Sequence, residues 1–274
     1  MPKVSVIIPA YNEEKRLPPT LSSVWDYWQQ RGEDFEIIVV DDGSGDHTTD
    51  IVQDFGKHHE NVRLISYAPN QGKGYAVRTG MLSAYGDYLL IDDADGASPI
   101  EEVERLESAI ASGADIAIGS RNIPEAGTKI QTVSYRKHMG NTFNLIVQSL
   151  LLPGIRDTQC GFKLFKSKVA QDLFGVSAQN GFAYDVEVLF IARLRGYKIA
   201  EVAINWTNVE GSKVNVISDS LNMLVQVLFM RIAAIFGAYR KNASVNPRTP
   251  LPMIHIAPKS PEDETTHAES ESQI

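Results

Sequence analysis

The chain has 274 residues, of which 43% are hydrophobic and 22% are charged, and its formal net charge at pH 7 is −8. This composition is typical of a soluble globular protein that can build a core. The acidic balance argues against nucleic-acid binding, so we expect no nucleic-acid partner. The single cysteine, Cys160, excludes an internal disulfide framework and favours a reducing compartment, with the cytoplasm as the default.

The composition changes only near the end of the chain. No linker-like stretch interrupts the first ~240 residues, which predicts one main domain over residues 1–216. An apolar helix is expected within residues 217–241. Residues 242–274 contain five prolines, five acidic and two basic residues, which is typical of a disordered acidic tail. The chain starts directly with a strand pattern, so we expect no secretory leader.

The first half alternates between short apolar runs and amphipathic segments. Apolar residues at helical spacing predict a helix over Leu17–Gln30. Ser98, Pro99 and Glu101 form a helix-start pattern with serine as the N-cap. Five runs rich in valine and isoleucine predict strands covered on both faces: Val4–Pro9, Phe35–Asp41, Val62–Ser66, Tyr88–Asp92 and Asp115–Gly119. Short connections favour a doubly wound α/β sandwich around a mostly parallel central sheet.

The second half is less regular. Its patterns predict helices over Ser134–Leu151 and Asp185–Arg195 and strands over Gly161–Phe165 and Lys198–Trp206. Leu221–Ala238 is almost wholly apolar but shorter than the ~20 apolar residues of a membrane span. A helix lying on a membrane surface is favoured, with a core or homodimer helix as the alternative.

Acidic residues follow two of the predicted strands. Asp42 comes after the second strand, and Asp93 and Asp95 come after the fourth. In open α/β sheets ligands collect beyond the carboxyl ends of the strands. Asp93 and Asp95 are hard oxygen ligands of the kind that magnesium or manganese prefers, and an ion there would neutralise a diphosphate.

Other nucleotide and metal motifs do not fit. A P-loop requires serine or threonine after the lysine that follows its second glycine, whereas Gly74 follows Lys73, and no complete dinucleotide fingerprint is present. Histidine spacing does not match a zinc site, and Ala97 and Ser98 break an EF-hand pattern. Kinase, dehydrogenase, zinc-enzyme and calcium-binding functions are therefore disfavoured.

Segments after the first four strands resemble, in order and spacing, the family 2 inverting glycosyltransferases: Pro9–Glu13, Val40–Ser44, Asn70–Gly74 and Asp93–Asp95. Later motifs look like the dolichyl-phosphate glucosyltransferase and dolichyl-phosphate mannose synthase branch, with the glucosyl enzymes as the nearer match: Gly119–Arg121, Asp157–Lys163, Phe182–Glu187 and Val209–Lys213. The resemblance covers about residues 3–215.

The resemblance implies a GT-A fold that transfers glucose from UDP-glucose to a polyprenyl, dolichyl-type phosphate with inversion. It implies magnesium or manganese on Asp93 and Asp95. The donor-binding positions that it implies are Pro9, Tyr11, Glu13, Val40, Asp42, Lys73, Asp93, Ala94, Arg121 and Lys213. Related mannose enzymes have a glutamine where this chain has Ala97, so water or another residue would complete the metal shell. The apolar C-terminal helix, together with the expected lipid acceptor, favours a peripheral location on the cytosolic face of a membrane.

The residue types agree with these positions. Asp42 could accept a hydrogen bond from the imide N–H of uracil, Tyr11 could cover the base or ribose, and Glu13 could accept from sugar hydroxyls. Arg121, Arg136 and Lys213 are the cations expected around the donor diphosphate and acceptor phosphate; exposed surface charges are the alternative. Lys73 is expected in the nucleotide pocket or as an exposed charge.

The acceptor decides whether a base is needed. A phosphate monoester has its second pKa near about 6 and attacks without a strong base, so positioning, in which Arg136 takes part, could suffice. A hydroxyl acceptor would require a carboxylate base, for which Asp157 and then Asp185 are candidates. The alternative for Asp157 is to cap a turn or hold Arg136. Cys160 is expected to be a small buried filler.

Two other functions stay open at this point. One is a related transferase that uses GDP-mannose, UDP-GlcNAc or a hydroxyl acceptor in polysaccharide or glycolipid synthesis. The other is a catalytically silent nucleotide-sugar-binding scaffold.

Overall fold

The structure is a computed structural model that describes residues 2–123, 130–131, 145–209 and 216–240. The strands in these ranges are β1 (Val4–Ala10), β2 (Phe35–Asp41), β3 (Val62–Ser66), β4 (Tyr88–Ile91), β5 (Ile116–Ser120), β6 (Ile130–Gln131), β7 (Lys163–Lys166), β8 (Ile199–Ala203) and β9 (Trp206–Thr207). The helices are α1 (Leu17–Arg31), α2 (Thr48–His58), α3 (Lys73–Ser83), α4 (Val103–Ala111), α5 (145–150), α6 (Ser167–Phe174), α7 (Tyr184–Leu194) and α8 (Val216–Ile235).

Seven strands form the central sheet in the order β3-β2-β1-β4-β7-β5-β8. β7 runs antiparallel to both of its neighbours, and the remaining pairs are parallel. The expected α/β class with a mostly parallel sheet is therefore confirmed. Because six strands share one direction, their carboxyl ends and the start of β7 lie along the same edge of the sheet.

Helices cover both faces of this sheet. α1, α2 and α4 pack on one face through apolar side chains such as Leu21, Val52 and Leu106. α3, α6, α7 and α8 belong to the core on the other face, which contains Val77 and Leu189. Burying a large apolar side chain stabilises the fold by about 1.5–3 kcal/mol, so these two cores hold the sheet and its loops in place.

The predicted strands of the first half agree with β1 to β5 to within one residue at each end. The second half differs more. β7 begins two residues later than expected, and the segment Lys198–Trp206 is not one strand, since β8 ends at Ala203 and β9 pairs with β6 in a separate sheet. Ile204, between β8 and β9, is buried in the core.

The predicted start of the fourth helix was wrong in detail. Pro99 takes the N-cap position of a 3₁₀ turn over Ile100–Glu102, which leads into α4, and no side chain caps that turn. The Ser98 capping pattern is therefore not formed. Of the helix predicted over Ser134–Leu151, residues 145–150 are helical and residues 132–144 lie outside the described residues.

α8 covers most of the apolar segment predicted to be helical. None of the helices in the described ranges is both long enough and apolar enough to span a bilayer. Residues 241–274 lie outside the described part, so the divisions after residues 216 and 241 stay predictions.

Candidate active site

The loops after β1 and β2 are joined at the carboxyl edge of the sheet. The Asn12 N–H donates to Ser44 Oγ at 2.8 Å, and the Gly45 N–H donates to Asn12 Oδ1 at 2.7 Å. Asn12 has a φ of 52°, a left-handed conformation that asparagine tolerates better than most residues. These bonds fix the segment that carries Tyr11, whose side chain is 40% exposed at this edge.

Asp42 fastens the loop that follows β3. Its carboxylate accepts the backbone N–H groups of Gln71 at 2.7 Å and Gly72 at 2.8 Å. Burial raises the pKa of the buried Asp42 carboxyl, and the two N–H donors oppose that rise. Both of these hydrogen bonds come from the protein backbone, and the expected contact of Asp42 with uracil stays a prediction. What the structure shows is that Asp42 positions Gly72, the residue before Lys73.

Lys73 opens α3 and reaches the acidic loop after β4. Its Nζ lies 2.6 Å from Asp93 Oδ1. Burial tends to lower the pKa of Lys73, but Asp93 and Asp185 outweigh it, and the pKa is raised. The structure thus brings together two residues that are twenty positions apart and that the sequence placed on separate motifs.

The acidic loop contains mutually repelling carboxyl groups. Burial, followed by repulsion from Asp93 and Asp95, raises the pKa of Asp92 well above its usual value. Burial and Asp93 likewise raise the pKa of Asp95. The Lys73 ammonium is the described partner of the buried Asp93 Oδ1. A divalent cation would relieve the remaining repulsion among these carboxyl groups, so these residues fit a metal ion.

The described residues contain no group of three or more His, Cys, Asp or Glu side chains placed to hold a metal. Asp93 and Asp95 would thus give two protein ligands. Magnesium commonly binds in this manner, because it keeps water molecules and takes further oxygens from substrate phosphates.

Gly161 lets the loop before β7 approach this centre. A Cβ atom at Gly161 would collide with the carboxylate of Asp93. The loop can therefore pack against the acidic residues only because glycine occupies this position.

Arg16 is a member of the site that the sequence did not reveal. Its Nε donates to Glu13 Oε2 at 2.7 Å, and its Nη1 lies 3.7 Å from Asp95 Oδ2. The spacing of Glu13 and Arg16, three residues apart, could have suggested the first pair. The link to Asp95 depends on the tertiary fold. Glu13, expected to accept from sugar hydroxyls, is bound to Arg16 in this structure.

Asp157 and Arg121 form a bidentate ion pair. Arg121 Nε donates to Asp157 Oδ2 at 2.7 Å, and its Nη2 donates to Oδ1 at 2.9 Å. The Asp157 side chain is fully buried. Burial would raise the pKa of Asp157, but the Arg121 charge and hydrogen bonds outweigh it and lower that pKa. The guanidinium also lies over the Trp206 ring, 5.3 Å from its centroid.

The partner of Asp157 differs from the one that the sequence suggested. The sequence suggested Arg136, whereas the described partner is Arg121. Arg136 and Lys213 lie outside the described residues, so their expected roles stay predictions.

Asp185 has a buried cation as its partner. The ammonium of Lys163, 1% exposed, donates to Asp185 Oδ1 and to the carbonyl oxygen of Cys160. Burial raises the pKa of Asp185, while Lys163 and Lys73 oppose the rise. The sequence did not single out Lys163. Burial raises the pKa of Cys160 to about 12, which keeps it a neutral thiol, as a filler would be.

The remaining predicted donor positions are less accessible. The side chains of Val40 and Ala94 are buried in the two cores. Pro9 is partly buried at the end of β1. Contacts at Val40 and Ala94 would have to come from the main chain.

Comparison with known proteins places these features in a family. The model of Glycosyl transferase family 2 matches residues 5–174. The dolichyl-phosphate beta-glucosyltransferase of Homo sapiens is 39% identical over 253 residues, covering 87% of this chain and 78% of that protein. The enzyme of the same name from Saccharomyces cerevisiae is 36% identical over 257 residues, covering 87% and 77%.

A solved structure shares the fold. Glucosyl-3-phosphoglycerate synthase from Mycobacterium tuberculosis, in complex with Mn²⁺, UDP-glucose and phosphoglyceric acid, aligns with a TM-score of 0.65 at 17% identity. The alignment covers 84% of this chain and 79% of that one. At this identity the likeness shows the fold, and the expected sandwich architecture is confirmed.

Proposed function

Since this chain belongs to glycosyl transferase family 2 and has the GT-A fold, we propose that it transfers glucose from UDP-glucose to a dolichyl-type polyprenyl phosphate. An oxygen of the acceptor phosphate attacks the anomeric carbon of glucose. The bond from that carbon to the β-phosphate oxygen breaks, and UDP leaves with the electron pair. The configuration at the anomeric carbon is inverted.

The engagement of Asp157 is the observation that carries this proposal. A general base needs a free oxygen and a pKa near the working pH, whereas Asp157 is buried, paired through both oxygens, and has a lowered pKa. Asp185 is likewise paired with Lys163. An acceptor that is already ionised, such as a phosphate monoester, needs no base at either position.

The donor diphosphate would bind at the acidic loop. Magnesium or manganese on Asp93 and Asp95 would neutralise the diphosphate and stabilise the charge that builds on departing UDP. Lys73, next to Asp93, would donate to a phosphate oxygen, and Arg121 is held in a fixed orientation by Asp157. Orientation of this kind costs no reorganisation during the reaction.

The proposed lipid contact uses α8. Six apolar side chains on one stripe of α8 and the turn after it are exposed: Val225, Leu228, Phe229, Ile232, Ile235 and Phe236. On the opposite face of the helix, Met223, Val227 and Met230 are buried. A stripe of this kind suits the surface of a bilayer on the cytosolic side. A second copy of the chain is the other possible cover, and a liposome flotation assay at low protein concentration separates the two.

The activity test uses the purified chain with Mn²⁺ or Mg²⁺, a panel of UDP- and GDP-sugars and a short polyprenyl phosphate. Mass spectrometry identifies the lipid product. We expect a hexosyl-phosphate lipid from UDP-glucose. Product from GDP-mannose or UDP-GlcNAc instead would reassign the donor, and nucleotide binding with no product from any donor would indicate a silent scaffold.

A further inference from the structure

Tyr239, which follows α8, makes a buried contact with α7. Its hydroxyl donates to Glu187 Oε1 at 2.8 Å, and its ring packs against Phe190 with 6.3 Å between the ring centroids. Tyr239 is 7% exposed and Glu187 is fully buried. The two residues are 52 positions apart in the chain, so the fold alone brings them together.

The second oxygen of the same carboxylate holds a loop. Glu187 Oε2 accepts the N–H groups of Ala178 and Gln179, both at 2.8 Å. A buried carboxylate is costly unless its oxygens accept hydrogen bonds, and here three donors satisfy it. The loop of residues 177–182 is therefore fixed from one side by Glu187.

The same loop contacts the start of α3. The Tyr75 N–H donates to the Asn180 carbonyl at 3.1 Å, and Arg78 Nη2 donates to Asn180 Oδ1 at 2.9 Å. A Cβ atom at Gly72 would lie 2.6 Å from the Asn180 carbonyl oxygen, and one at Gly74 would lie 2.5 Å from that of Gln179. The glycines on both sides of Lys73 are thus pressed against this loop.

From these contacts we propose that Glu187 and Tyr239 are positioning residues for the nucleotide-sugar donor. They hold the 177–182 loop against Gly72 and Gly74 so that Lys73 faces Asp93. The turn after α8 therefore forms part of the support of the donor site, although it lies outside the segment matched by the family model. The identity of the donor in this inference rests on the proposed function.

Tyr239→Phe is the first test, because it removes one hydroxyl and keeps the ring. We expect the KM for UDP-glucose to rise about fivefold to tenfold with kcat changed less than twofold, as for loss of a hydrogen bond to a charged group that acts on binding. Tyr27→Phe is the matched control, since the Tyr27 hydroxyl also donates to a glutamate, Glu104, on the opposite face of the sheet. It should leave both constants unchanged.

Glu187→Gln and Glu187→Leu form the second pair. Glutamine keeps an acceptor for the loop N–H groups and an N–H₂ group for Tyr239, so it should stay within about threefold of the wild-type KM. Leucine keeps much of the volume but no acceptor, and should raise the KM more than Tyr239→Phe does. If the leucine variant does not fold, the tyrosine and glutamine variants still decide the matter.

Hydrogen exchange gives a readout that does not depend on the donor. In Tyr239→Phe the amides of Tyr75, Ala178 and Gln179 should exchange faster than in Tyr27→Phe. Faster exchange without turnover of UDP-glucose would support the positioning role and reject the proposed donor. Unchanged exchange and an unchanged KM would overturn the positioning role while leaving the proposed function intact.

Discussion

Lys73 Nζ lies 2.6 Å from Asp93 Oδ1, so the first residue of α3 is the described cation nearest to a proposed metal ligand. A divalent ion and an ammonium group cannot both occupy the same side of this oxygen. Metal binding at Asp93 Oδ1 therefore requires Lys73 to move away from that oxygen. The donor diphosphate, which would accept from Lys73, favours that movement, so the two ligands should bind cooperatively.

Lys73→Met should bind Mn²⁺ more tightly than the wild type when no nucleotide is present. Removing the competing ammonium group should raise the affinity for Mn²⁺ by about tenfold, while loss of the phosphate contact should weaken UDP-glucose binding. Electron paramagnetic resonance titration of free Mn²⁺ measures the first effect. Lys15→Met removes an exposed charge from the loop after β1 and is the control. Equal Mn²⁺ affinity in both variants would contradict the competition.

Asp157→Asn should destabilise the protein by about 3 kcal/mol at pH 7, because it leaves Arg121 without its buried counter-ion. The folded pKa of Asp157 is depressed, so the pair stabilises the fold above the unfolded pKa of about 3.9. That contribution is lost as the pH falls through the folded pKa. Urea denaturation should show that the free energy of unfolding of the wild type exceeds that of Asp157→Asn by the full amount at pH 7, and that this difference shrinks below about pH 4.

The matched surface change is Asp54→Asn, which breaks the exposed 3.4 Å pair with Lys57. It should leave the free energy of unfolding nearly unchanged. If Asp157→Asn were as mild as this control, the ion pair would not hold Arg121 in the way described.

The pH dependence of kcat/KM should follow the acceptor. Activity is expected to rise through a pH near about 6, the second pKa of a phosphate monoester, and then to level off. With an acceptor analogue whose second pKa differs, the rising limb of the rate profile should shift by the difference between the two pKa values. A limb that stays at the same pH with both acceptors would belong to an enzyme group and would favour a general base.

Gly161→Ala should reduce transfer by about 100-fold, since its methyl group would displace the Asp93 carboxylate and a small misplacement at a reacting site can cost that much. Initial rates and Mn²⁺ titration measure the effect. Gly56→Ala is the control, because Gly56 lies in the last turn of α2 and a Cβ there would make only an ordinary contact, 3.5 Å from the Val62 carbonyl oxygen. Similar rates in the two variants would show that the Asp93 loop tolerates the added group.

The sequence predicted the first half of the fold well, because each buried strand is a local apolar run and each acidic loop follows one directly. α2 and α3 were not predicted individually. In α3 the glycines at positions 74 and 80 weaken the helical pattern, and close packing against Tyr184 and Ile7 explains why they are glycines. The antiparallel direction of β7 has no local signature, since strand patterns do not encode pairing.

The site residues show the same contrast between local patterns, which the sequence reveals, and contacts between distant segments, which it does not. Asp93 and Asp95 could be found from their place in a motif, and Lys73 was singled out as a pocket residue. The pairs of Arg16 with Asp95, Arg121 with Asp157 and Glu187 with Tyr239 join distant segments, so only the folded chain reveals them. The sequence consequently identified chemical groups more accurately than their partners.

The central claim is tested most directly by the lipid product formed from UDP-glucose, compared between the wild type and Asp95→Asn. Parallel reactions contain a short polyprenyl phosphate or the corresponding polyprenol, and mass spectrometry measures each product. The proposed function predicts a hexosyl-phosphate lipid from the wild type with the phosphate acceptor, and almost none from Asp95→Asn or from polyprenol. Glucosylated polyprenol, or unimpaired transfer by Asp95→Asn, would contradict it.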